Sequence, residues 1–345
     1  MNKKGTIVLL ITLSIFLISF IRKLDNSFSK KDVELKIPKG FPKPNYDFSE
    51  NPLSPGKFEL GRKLFYDPIL SKDSSTSCES CHQRVAAFAH IDHALSHGID
   101  SKIGTRNVPA IQNMIWRDTY MWDGGVNNLE IQPLNPITSP IEMNETLPNI
   151  ILKLKANKGY SALFKKIYKD TVINSERILK SLAQFTGLMI SANSRYDKYK
   201  AGKDTFSIQE KNGLVLFKAK CSSCHKEPLF TDNSYRNNGI LPDTSLNDIG
   251  RGKITNLETD NYKFKVPSLR NIEMTFPYMH DGRYKKLKEV LNHYSSSNHN
   301  ATTDAEIKKI GELNDRERKD IIAFLLTLTD KEFLSDKRFT DPNRK

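Results

Sequence analysis

Cysteine is scarce in this sequence, and the few cysteines present exclude one class of protein. The chain has 345 residues and only four cysteines, which form two C-x-x-C pairs, Cys78 with Cys81 and Cys221 with Cys224. Two such tight pairs cannot cross-link a chain of this length, so a secreted scaffold held together by disulfide bonds is excluded.

Long hydrophobic runs are missing too, apart from one near the N-terminus. Residues 6–21 carry no charge and have two basic residues on either side. This run is shorter than the roughly 20 residues that a membrane-spanning helix needs, which favours a signal peptide over residues 1–23. No small-x-small cleavage motif ends the run, so a retained N-terminal membrane anchor is the alternative. In either case we expect a periplasmic protein, soluble or tethered to the inner membrane.

Acidic residues are outnumbered by basic ones, although the composition is otherwise that of a globular protein. The chain has 40 Asp and Glu against 53 Lys and Arg, and its residues are 38% hydrophobic and 27% charged. The excess of lysine serves solubility or steers an acidic partner to the surface. An exported chain without an Arg-rich arm is not expected to bind nucleic acid. The length predicts two modest domains.

The chain contains a repeated unit, which fixes its organisation. Two segments recur at an offset of 158 residues, and the C-x-x-C-H segment recurs at an offset of 143. The recurring pairs are Val108–Asn113 with Val266–Asn271, Tyr120–Gly124 with Tyr278–Gly282, and Cys78–His82 with Cys221–His225. The first copy therefore lacks about fifteen residues between the cysteines and the later segments.

Helix signals occur at matching places in both copies. Ser54 before Pro55 predicts a helix start, and Ser207–Glu210 is a capping box, each leading towards a C-x-x-C-H segment. Each copy ends in an amphipathic helix, with its apolar face formed by Ile178, Leu182 and Phe185 in the first copy and by Ile321, Phe324, Leu325 and Leu328 in the second. No long alternating strand pattern occurs, so the expected fold is mainly α, with long loops.

Each cysteine pair is followed directly by a histidine, His82 or His225. C-x-x-C-H is the attachment signature of c-type haem, in which the histidine ligates the iron. A zinc ribbon needs no histidine after each pair, and a redox-active pair needs a βαβ context that is absent. The sequence therefore predicts two covalent haems in two tandem cytochrome c-like domains, residues 51–200 and 201–345, with residues 24–50 as a linker.

The two copies differ at the place where a second axial ligand of the iron is expected. At the offset of 158 residues, Tyr294 corresponds to Pro136. Tyrosine can ligate iron and proline cannot, so we expect Tyr294 to close the second iron and the first to be open to a small oxidant. The alternative is that Tyr294 is only a packed aromatic residue and that His293, Met279 or Met274 is the ligand.

Specific motifs are spread from about residue 45 to residue 330. They are the two C-x-x-C-H sites, Arg106–Pro109, Trp122–Gly124, Glu142–Met143, Val266–Pro267 and Pro277–Gly282. Together they resemble the motifs of the bacterial di-haem cytochrome c peroxidase and MauG superfamily. The resemblance implies that the N-terminal haem is the peroxidatic one and that the C-terminal haem is an electron reservoir.

The resemblance also implies catalytic residues. Trp122 matches a tryptophan that lies between the haems, and Gln132 and Glu142 match a glutamine and a glutamate that follow it. Peroxide must lose a proton from one oxygen and gain one on the other before its O–O bond breaks, and a carboxylate such as Glu142 can transfer both. Otherwise Glu142 is a solvated acid and Trp122 a core residue.

Three spare histidines follow the first haem motif. His97 resembles a histidine that reversibly ligates the first iron in the peroxidases of the superfamily, whereas MauG lacks that ligand. His93 and His97 are alternatively a metal-binding pair, and His90 an ordinary polar residue. With Tyr294 resembling MauG and His97 resembling the peroxidases, the sequence mixes features of both branches.

The resemblance further implies a calcium ion between the two domains. Asn107, Thr275 and Pro277 match the positions that supply one Asn side chain and two backbone carbonyls in the family. Oxygen ligands of this kind suit calcium.

The expected function is therefore reduction of hydrogen peroxide by an exported di-haem peroxidase, with electrons from a small cytochrome c or cupredoxin. One alternative is a MauG-type enzyme that oxidises residues of a partner protein. The other is a pure electron carrier with both irons saturated. The sequence leaves open the donor, the redox potentials, the resting ligation of the first iron and whether the protein is a homodimer.

Overall fold

A computed structural model describes residues 28–296 and 300–343, and the described chain is mainly helical. The predicted export segment, residues 1–23, lies outside the described residues. The α-helices are Pro55–Tyr66, Cys78–Cys81, Leu134–Thr138, Leu147–Ala156, Lys158–Tyr168, Ser175–Gly187, Arg195–Lys200, Ile208–Lys220, Gly252–Thr255, Leu287–Tyr294, Ala305–Lys308, Asp315–Leu326 and Lys331–Ser335. Within the described ranges, none of the helices has the length and apolar character that a membrane crossing requires.

Short 3-10 helices and one small sheet complete the secondary structure. The 3-10 helices are Pro68–Leu70, Arg84–Ala86, Ile99–Ser101, Met114–Trp116, Thr244–Leu246, Glu258–Asp260, Ile272–Met274 and Lys337–Phe339. The strands Tyr235–Arg236 and Phe264–Lys265 are antiparallel, with Tyr235 opposite Lys265. Much of the chain around the cysteine motifs is therefore loop, as expected.

The two halves are built on the same pair of packed helices. Pro55–Tyr66 packs against Ser175–Gly187, and Ile208–Lys220 packs against Asp315–Leu326. Ser54 caps the first helix of one pair, and the Ser207 capping box starts the first helix of the other. The helix starts and the duplicated, mainly helical fold are therefore confirmed.

A glycine allows each helix pair to approach closely. A Cβ atom built on Gly61 would lie 1.9 Å from the Ser181 carbonyl oxygen, and one built on Gly213 would lie 1.9 Å from the Asp320 carbonyl oxygen. Both distances are far below van der Waals contact, so only glycine fits at either position. Gly61 and Gly213 are the first residues of two Gly-x-x-Leu-Phe segments, Gly61–Phe65 and Gly213–Phe217, which precede the two cysteine pairs. The close helix crossing explains the glycine in each segment.

Each helix pair lies against an aromatic core, and the C-terminal residues Phe333 and Phe339 pack into the core of the first half. The predicted apolar faces are buried there, since Phe185 in one core and Phe324 in the other have no exposed surface. In the first core the Phe65 and Phe185 rings lie 5.2 Å apart between centroids, and in the second the Phe217 and Phe324 rings lie 5.0 Å apart. Phe65 and Phe217 are the last residues of the two Gly-x-x-Leu-Phe segments.

The loops that lie between the two helices of each pair are duplicated as well. Tyr120 bridges to Val126 and Tyr278 bridges to Tyr284 in the same antiparallel manner. The preceding Asn113 and Asn271 both have positive φ, of 54° and 59°. The offset of 158 residues therefore relates equivalent backbone positions.

Residues 28–50, predicted as a linker, pack on the N-terminal half. Val33 is 2% exposed. The Trp116 indole N–H donates to the Pro42 carbonyl at 2.8 Å, and the Asn45 N–H donates to the Ile115 carbonyl at 2.9 Å. The described part of this segment thus covers a face of the first core.

Buried polar contacts join the two halves. The Gln112 side chain donates to the Arg270 carbonyl at 2.5 Å and accepts from the Asn271 side chain at 2.7 Å. Arg106 pairs with Asp123 of its own half and with Asp248 of the other half, each at 2.6 Å. Gln112 and Arg270 are equivalent positions of the repeat, so the halves meet around these equivalent segments.

Candidate functional site

The two C-x-x-C-H motifs adopt comparable local structures. His82 Nδ1 lies 2.8 Å from the Phe88 carbonyl oxygen, and His225 Nδ1 lies 3.1 Å from the Phe230 carbonyl oxygen. A carbonyl at Nδ1 fixes the ring orientation and leaves Nε2 available as a metal ligand. The residues present therefore fit the proximal side of a c-type haem in both halves.

A cavity of about 230 Å³ lies beside the second motif. Cys221, Cys224 and His225 line it together with apolar side chains of the second core. Such an apolar cavity next to two free thiols and an oriented imidazole fits a covalently attached haem. The apolar residues include Phe217, Leu269, Ile272, Leu287, Leu291, Ile321 and Leu325.

Two of the four candidates for the second axial ligand line this cavity, Tyr294 and Met279. Burial raises the pKa of Tyr294 to about 12. Met279 Sδ accepts a hydrogen bond from the Asn238 side chain at 3.5 Å. The other two candidates have different surroundings, since His293 Nε2 lies 2.9 Å from the Asn238 carbonyl oxygen and Met274 packs against the N-terminal core.

Trp122 lines the same cavity and contacts both halves of the molecule. Its indole N–H donates to the Asn107 carbonyl at 2.8 Å. Its own carbonyl accepts from the Lys265 N–H of the second half at 2.7 Å. Ala89, seven residues after His82, also lines the cavity. The position of Trp122 is therefore compatible with a bridge between two haem sites.

The three residues expected to hold calcium all line this cavity. Asn107 belongs to one half, and Thr275 and Pro277 belong to the other. The side-chain N–H of Asn107 donates to the Ala94 carbonyl at 2.9 Å, which leaves its Oδ1 atom as the side-chain acceptor. One amide oxygen and two backbone carbonyls at a domain boundary fit a calcium ion.

The residues expected at the first haem are also brought together. The Met143 N–H donates to the Pro136 carbonyl at 3.1 Å, and the Glu142 carbonyl accepts from the Ile99 N–H at 2.8 Å. Cys81 Sγ lies 3.4 Å from the His97 carbonyl oxygen. The Glu142 segment is thus held between the loop that carries Pro136 and the segment that follows His97.

Glycine again permits a close backbone approach. A Cβ on Gly98 would lie 2.1 Å from the Ile141 carbonyl oxygen and 2.5 Å from Glu142 Cα. Glycine is therefore required at position 98 for packing, whether or not His97 ligates an iron, because the Glu142 loop passes directly over Gly98.

Glu142 has the electrostatic environment of an acid–base group. Burial raises its pKa above the ordinary value for glutamate. Its charge contributes to the raised pKa of the Cys81 thiol, so the two groups are close in space. A carboxyl group shielded from water binds and releases a proton nearer to neutral pH than a solvated one. Gln132 lies near Trp122 instead. Its side-chain N–H is 3.9 Å from Sδ of Met121, the residue that precedes Trp122.

The three spare histidines form a stack. The ring centroids of His90 and His93 lie 5.1 Å apart, and those of His93 and His97 lie 4.3 Å apart. Across residues 28–296 and 300–343, no cluster of three or more His, Cys, Asp or Glu residues is arranged to hold a metal ion. The axial role of His97 stays a prediction.

A polar cluster beside Trp122 was not expected from the sequence. Lys265 Nζ lies 2.5 Å from Thr119 Oγ1 and 2.8 Å from Tyr235 OH. Burial, together with nearby Arg117 and Arg251, lowers the pKa of Lys265 to about 7. No local motif marks these residues, because the pairing of the two strands joins Tyr235 to Lys265 and a loop of the other half brings Thr119 to them.

Family models match both halves of the chain. The model described as di-haem cytochrome c peroxidase matches residues 55–205. The model described as cytochrome c matches residues 210–329. The two matches follow the two copies of the repeat.

Curated relatives match most of the chain. The methylamine utilization protein MauG of Methylorubrum extorquens is 35% identical over 290 residues, which cover 81% of this chain and 79% of that protein. The cytochrome c551 peroxidase of Nitrosomonas europaea is 33% identical over 276 residues, which cover 79% of each chain. Relatives of both kinds therefore match over similar lengths.

A solved structure shares the whole fold. It is described as a MauG-like protein associated with microbial copper homeostasis, and it superposes with a TM-score of 0.82 at 32% sequence identity. The match covers 90% of this chain and 99% of that one.

Proposed function

Since this chain belongs to the di-haem cytochrome c peroxidase and MauG family, we propose that it reduces hydrogen peroxide to water with electrons from a small redox protein. The chain is a haem peroxidase with two c-type haems, one attached through Cys78, Cys81 and His82 and the other through Cys221, Cys224 and His225. When bound, the haems supply the iron at which peroxide reacts and the store for the second oxidising equivalent.

One observation carries the proposal, the difference between equivalent positions of the two halves. Tyr294 lines the cavity beside His225, whereas Pro136 stands at its equivalent in the first half. Tyrosine can ligate iron and proline cannot. This difference favours a second iron that is saturated and a first iron that peroxide can reach.

Glu142 moves the proton in this proposal. Its backbone is fixed by hydrogen bonds to the loops of Pro136 and Ile99, and its half-buried carboxyl group has a raised pKa. It takes a proton from one peroxide oxygen and returns it to the other, as a group with a pKa shifted towards neutrality does best. Gln132 and Trp122 are the other two proposed catalytic residues, and Trp122 lies at the boundary between the two halves.

Trp122 is proposed to connect the two haem sites electronically. It contacts Asn107 of its own half and Lys265 of the other, and it lines the cavity that reaches His225. An indole at such a boundary is a suitable path for single electrons. Calcium, held by Asn107, Thr275 and Pro277, is proposed to stabilise the same boundary.

We propose that the enzyme works in the periplasm. The basic residues around the apolar run of residues 6–21 favour export, with the protein either released or tethered by that run. A small cytochrome c or a cupredoxin is the proposed donor, since both are electron carriers of that compartment. The net charge of +13 favours an acidic surface on the donor.

A second candidate function has its own support. Tyr294 at the cavity and the 35% identity to MauG favour a MauG-type enzyme, which would use peroxide to oxidise residues of a partner protein. His97 stands against it, because the resembled MauG branch lacks that ligand.

One experiment separates the candidates. Reduced protein is mixed with hydrogen peroxide while the oxidation of a reduced small cytochrome is followed. A peroxidase of the proposed kind oxidises the cytochrome with each turnover. A MauG-type enzyme reacts with peroxide but oxidises the cytochrome poorly, and a pure electron carrier shows no peroxide-dependent turnover, which would overturn the proposal.

A further inference from the structure

A closed ring of polar atoms lies beside Trp122 and has no part in the function proposed above. Lys265 Nζ lies 2.5 Å from Thr119 Oγ1 and 2.8 Å from Tyr235 OH, and the two oxygens are 2.5 Å apart. Lys265 is only 7% exposed. Burying a lysine against two hydroxyl groups, with no carboxylate bound to its Nζ atom among the described contacts, is costly. The arrangement therefore calls for a reason other than stability.

The cluster is joined directly to the proposed electron path. The Lys265 N–H donates to the Trp122 carbonyl at 2.7 Å. A Cβ on Gly124 would lie 1.8 Å from Tyr235 OH, so the phenol rests against the backbone two residues after Trp122. An electron on the Tyr235 ring thus has a short path of contacts to Trp122.

Two basic side chains lie over the ring of Tyr235, and Arg251 is the one that carries a fixed positive charge. The Arg251 guanidinium carbon is 3.9 Å from the ring centroid, and Lys265 Nζ is 4.4 Å from it. Positive charge over an aromatic ring stabilises the electron-rich ring and disfavours a radical cation. Tyr235 can therefore lose an electron only if it loses its phenolic proton too, and that requires a base.

Lys265 is the base within reach. Burial is the main reason why its pKa falls to about 7, and neighbouring positive charges lower it further. At neutral pH a large fraction of the amine is then uncharged, with its lone pair available near the phenol oxygen. The charged or titratable groups facing it are Arg117, Asp118, Asp123, Tyr235 and Arg251.

We propose that Tyr235 is a one-electron relay beside Trp122 and that Lys265 is its proton acceptor. This rests on the proposed function, because the haem pair oxidised by hydrogen peroxide is the oxidant. The O–H bond of Tyr235 breaks, the electron passes through Trp122 to the oxidised pair, and the proton forms a new N–H bond on Lys265 Nζ. The products are a neutral tyrosyl radical and an ammonium group, and an electron from the external donor reverses the step.

Electron paramagnetic resonance of the holoprotein tests this relay. Oxidised protein with ring-deuterated tyrosine is frozen after mixing with peroxide, and we expect a tyrosyl signal that narrows on deuteration. Tyr235→Phe should lower that signal at least fivefold, while the absorbance change of the haems on adding peroxide stays intact. Tyr199→Phe, which removes the hydroxyl of a ring stacked 3.9 Å from Phe206, is the matched control and should leave the signal unchanged.

A second oxidant separates failure of the relay from failure of the proposed function. Flash-generated ruthenium(III) tris-bipyridine oxidises the resting protein without peroxide, and the difference between wild type and Tyr235→Phe should again be a tyrosyl signal. Should the protein not react with peroxide, the proposed function fails and the flash experiment still decides the relay. A tyrosyl signal of the same size in Tyr235→Phe, or none in wild type under either oxidant, overturns the relay.

Variants of Lys265 show whether it acts as a base or only as a charge. Lys265→Arg keeps a cation but cannot accept a proton, and Lys265→Met keeps the length without charge. Both should lose most of the tyrosyl signal if the amine is the acceptor. If Lys265→Arg retains the full signal, the proposed role of the amine is wrong. In wild type the signal should be up to about tenfold larger at pH 8 than at pH 6, following the neutral fraction of the amine.

Discussion

At the scale of single residues, the difference between Tyr294 and Pro136 separates two otherwise similar haem sites. The positions are equivalent in the repeat, and Tyr294 lies on the wall of the cavity beside His225. Burial raises the pKa of Tyr294 to about 12. Tyr294 would be the residue that supplies an oxygen ligand to the second haem, and Pro136 offers none to the first.

Tyr294→Phe should change the absorption and magnetic spectra of the second haem and leave those of the first unaltered, because only the second loses an oxygen ligand. Met279→Leu is the matched control, since Met279 lines the same cavity and offers the other candidate ligand. Unaltered spectra in Tyr294→Phe, with a shift in Met279→Leu instead, would reassign the ligand to Met279.

Glu142→Gln should leave both haem spectra intact and slow peroxide cleavage by about 10²–10⁴-fold, the usual range for loss of an acid–base group. Glu176→Gln makes the same change in an exposed ion pair with Lys180 and should have no effect on the rate. Stopped-flow absorbance after mixing with peroxide measures both. An unchanged rate in Glu142→Gln would remove Glu142 from the mechanism.

The pH dependence of peroxide cleavage follows from the same carboxyl group. Burial raises the pKa of Glu142, and the ionised form is needed to accept the first proton. We therefore expect the rate to fall as the pH decreases through a value above the ordinary pKa of glutamate, 4.5. Rate profiles should show this acid limb in wild type, and Glu142→Gln should lack it.

Some site residues could be predicted from the sequence and others could not. Tyr294 is predicted as a ligand because the repeat offers an internal comparison, and Asn107, Thr275 and Pro277 are predicted through the family resemblance; these roles stay predictions. The contact of Lys265 with Thr119 was out of reach, because 146 residues separate them and only the folded chain brings them together. Tertiary contacts between isolated polar residues leave no periodic pattern.

At the scale of elements, each half depends on one close crossing of two helices. Gly61 and Gly213 allow the backbones to touch, with the carbonyls of Ser181 and Asp320 where a side chain would otherwise be. The aromatic residues on the same helices then fill the core on either side. These helices could be predicted from caps and apolar periodicity, but the crossing could not, since neither signal describes how two helices meet.

Gly61→Ala and Gly213→Ala should each destabilise the protein by about 1–3 kcal/mol or more, as overpacking of a core does. Thermal unfolding of the holoprotein measures the effect. Gly159→Ala is the control, because a Cβ there would meet only the Asn157 side chain at 3.2 Å. Equal melting temperatures for Gly61→Ala and wild type would show that the helices can move apart at no cost.

At the scale of the whole molecule, the features that we propose to couple the two halves lie at the boundary between them. Trp122, the calcium candidates and the Arg106–Asp248 ion pair all lie there. The duplication and the content of each half could be predicted from the sequence. The placement of Trp122 and of the calcium candidates between the halves was predicted only through the family resemblance. The contacts at this boundary join loops, and loops have no regular sequence pattern.

Asn107→Ala should weaken calcium binding by at least tenfold, because it removes the only side-chain oxygen of the proposed site. Isothermal titration of calcium into chelator-treated holoprotein measures the affinity. Asn128→Ala, an exposed asparagine on another loop, serves as the control. Equal affinities for Asn107→Ala and wild type would place calcium elsewhere or remove it from the account.

Magnetic circular dichroism of the fully oxidised holoprotein, recorded together with its electron paramagnetic resonance, reports the spin state and axial ligands of each iron. We expect one low-spin haem with histidine and tyrosine ligands in the C-terminal half. We also expect an N-terminal haem that is open or closed only by a histidine that leaves when the other haem is reduced. Two haems that stay six-coordinate in every redox state would contradict this expectation and leave a protein that only carries electrons.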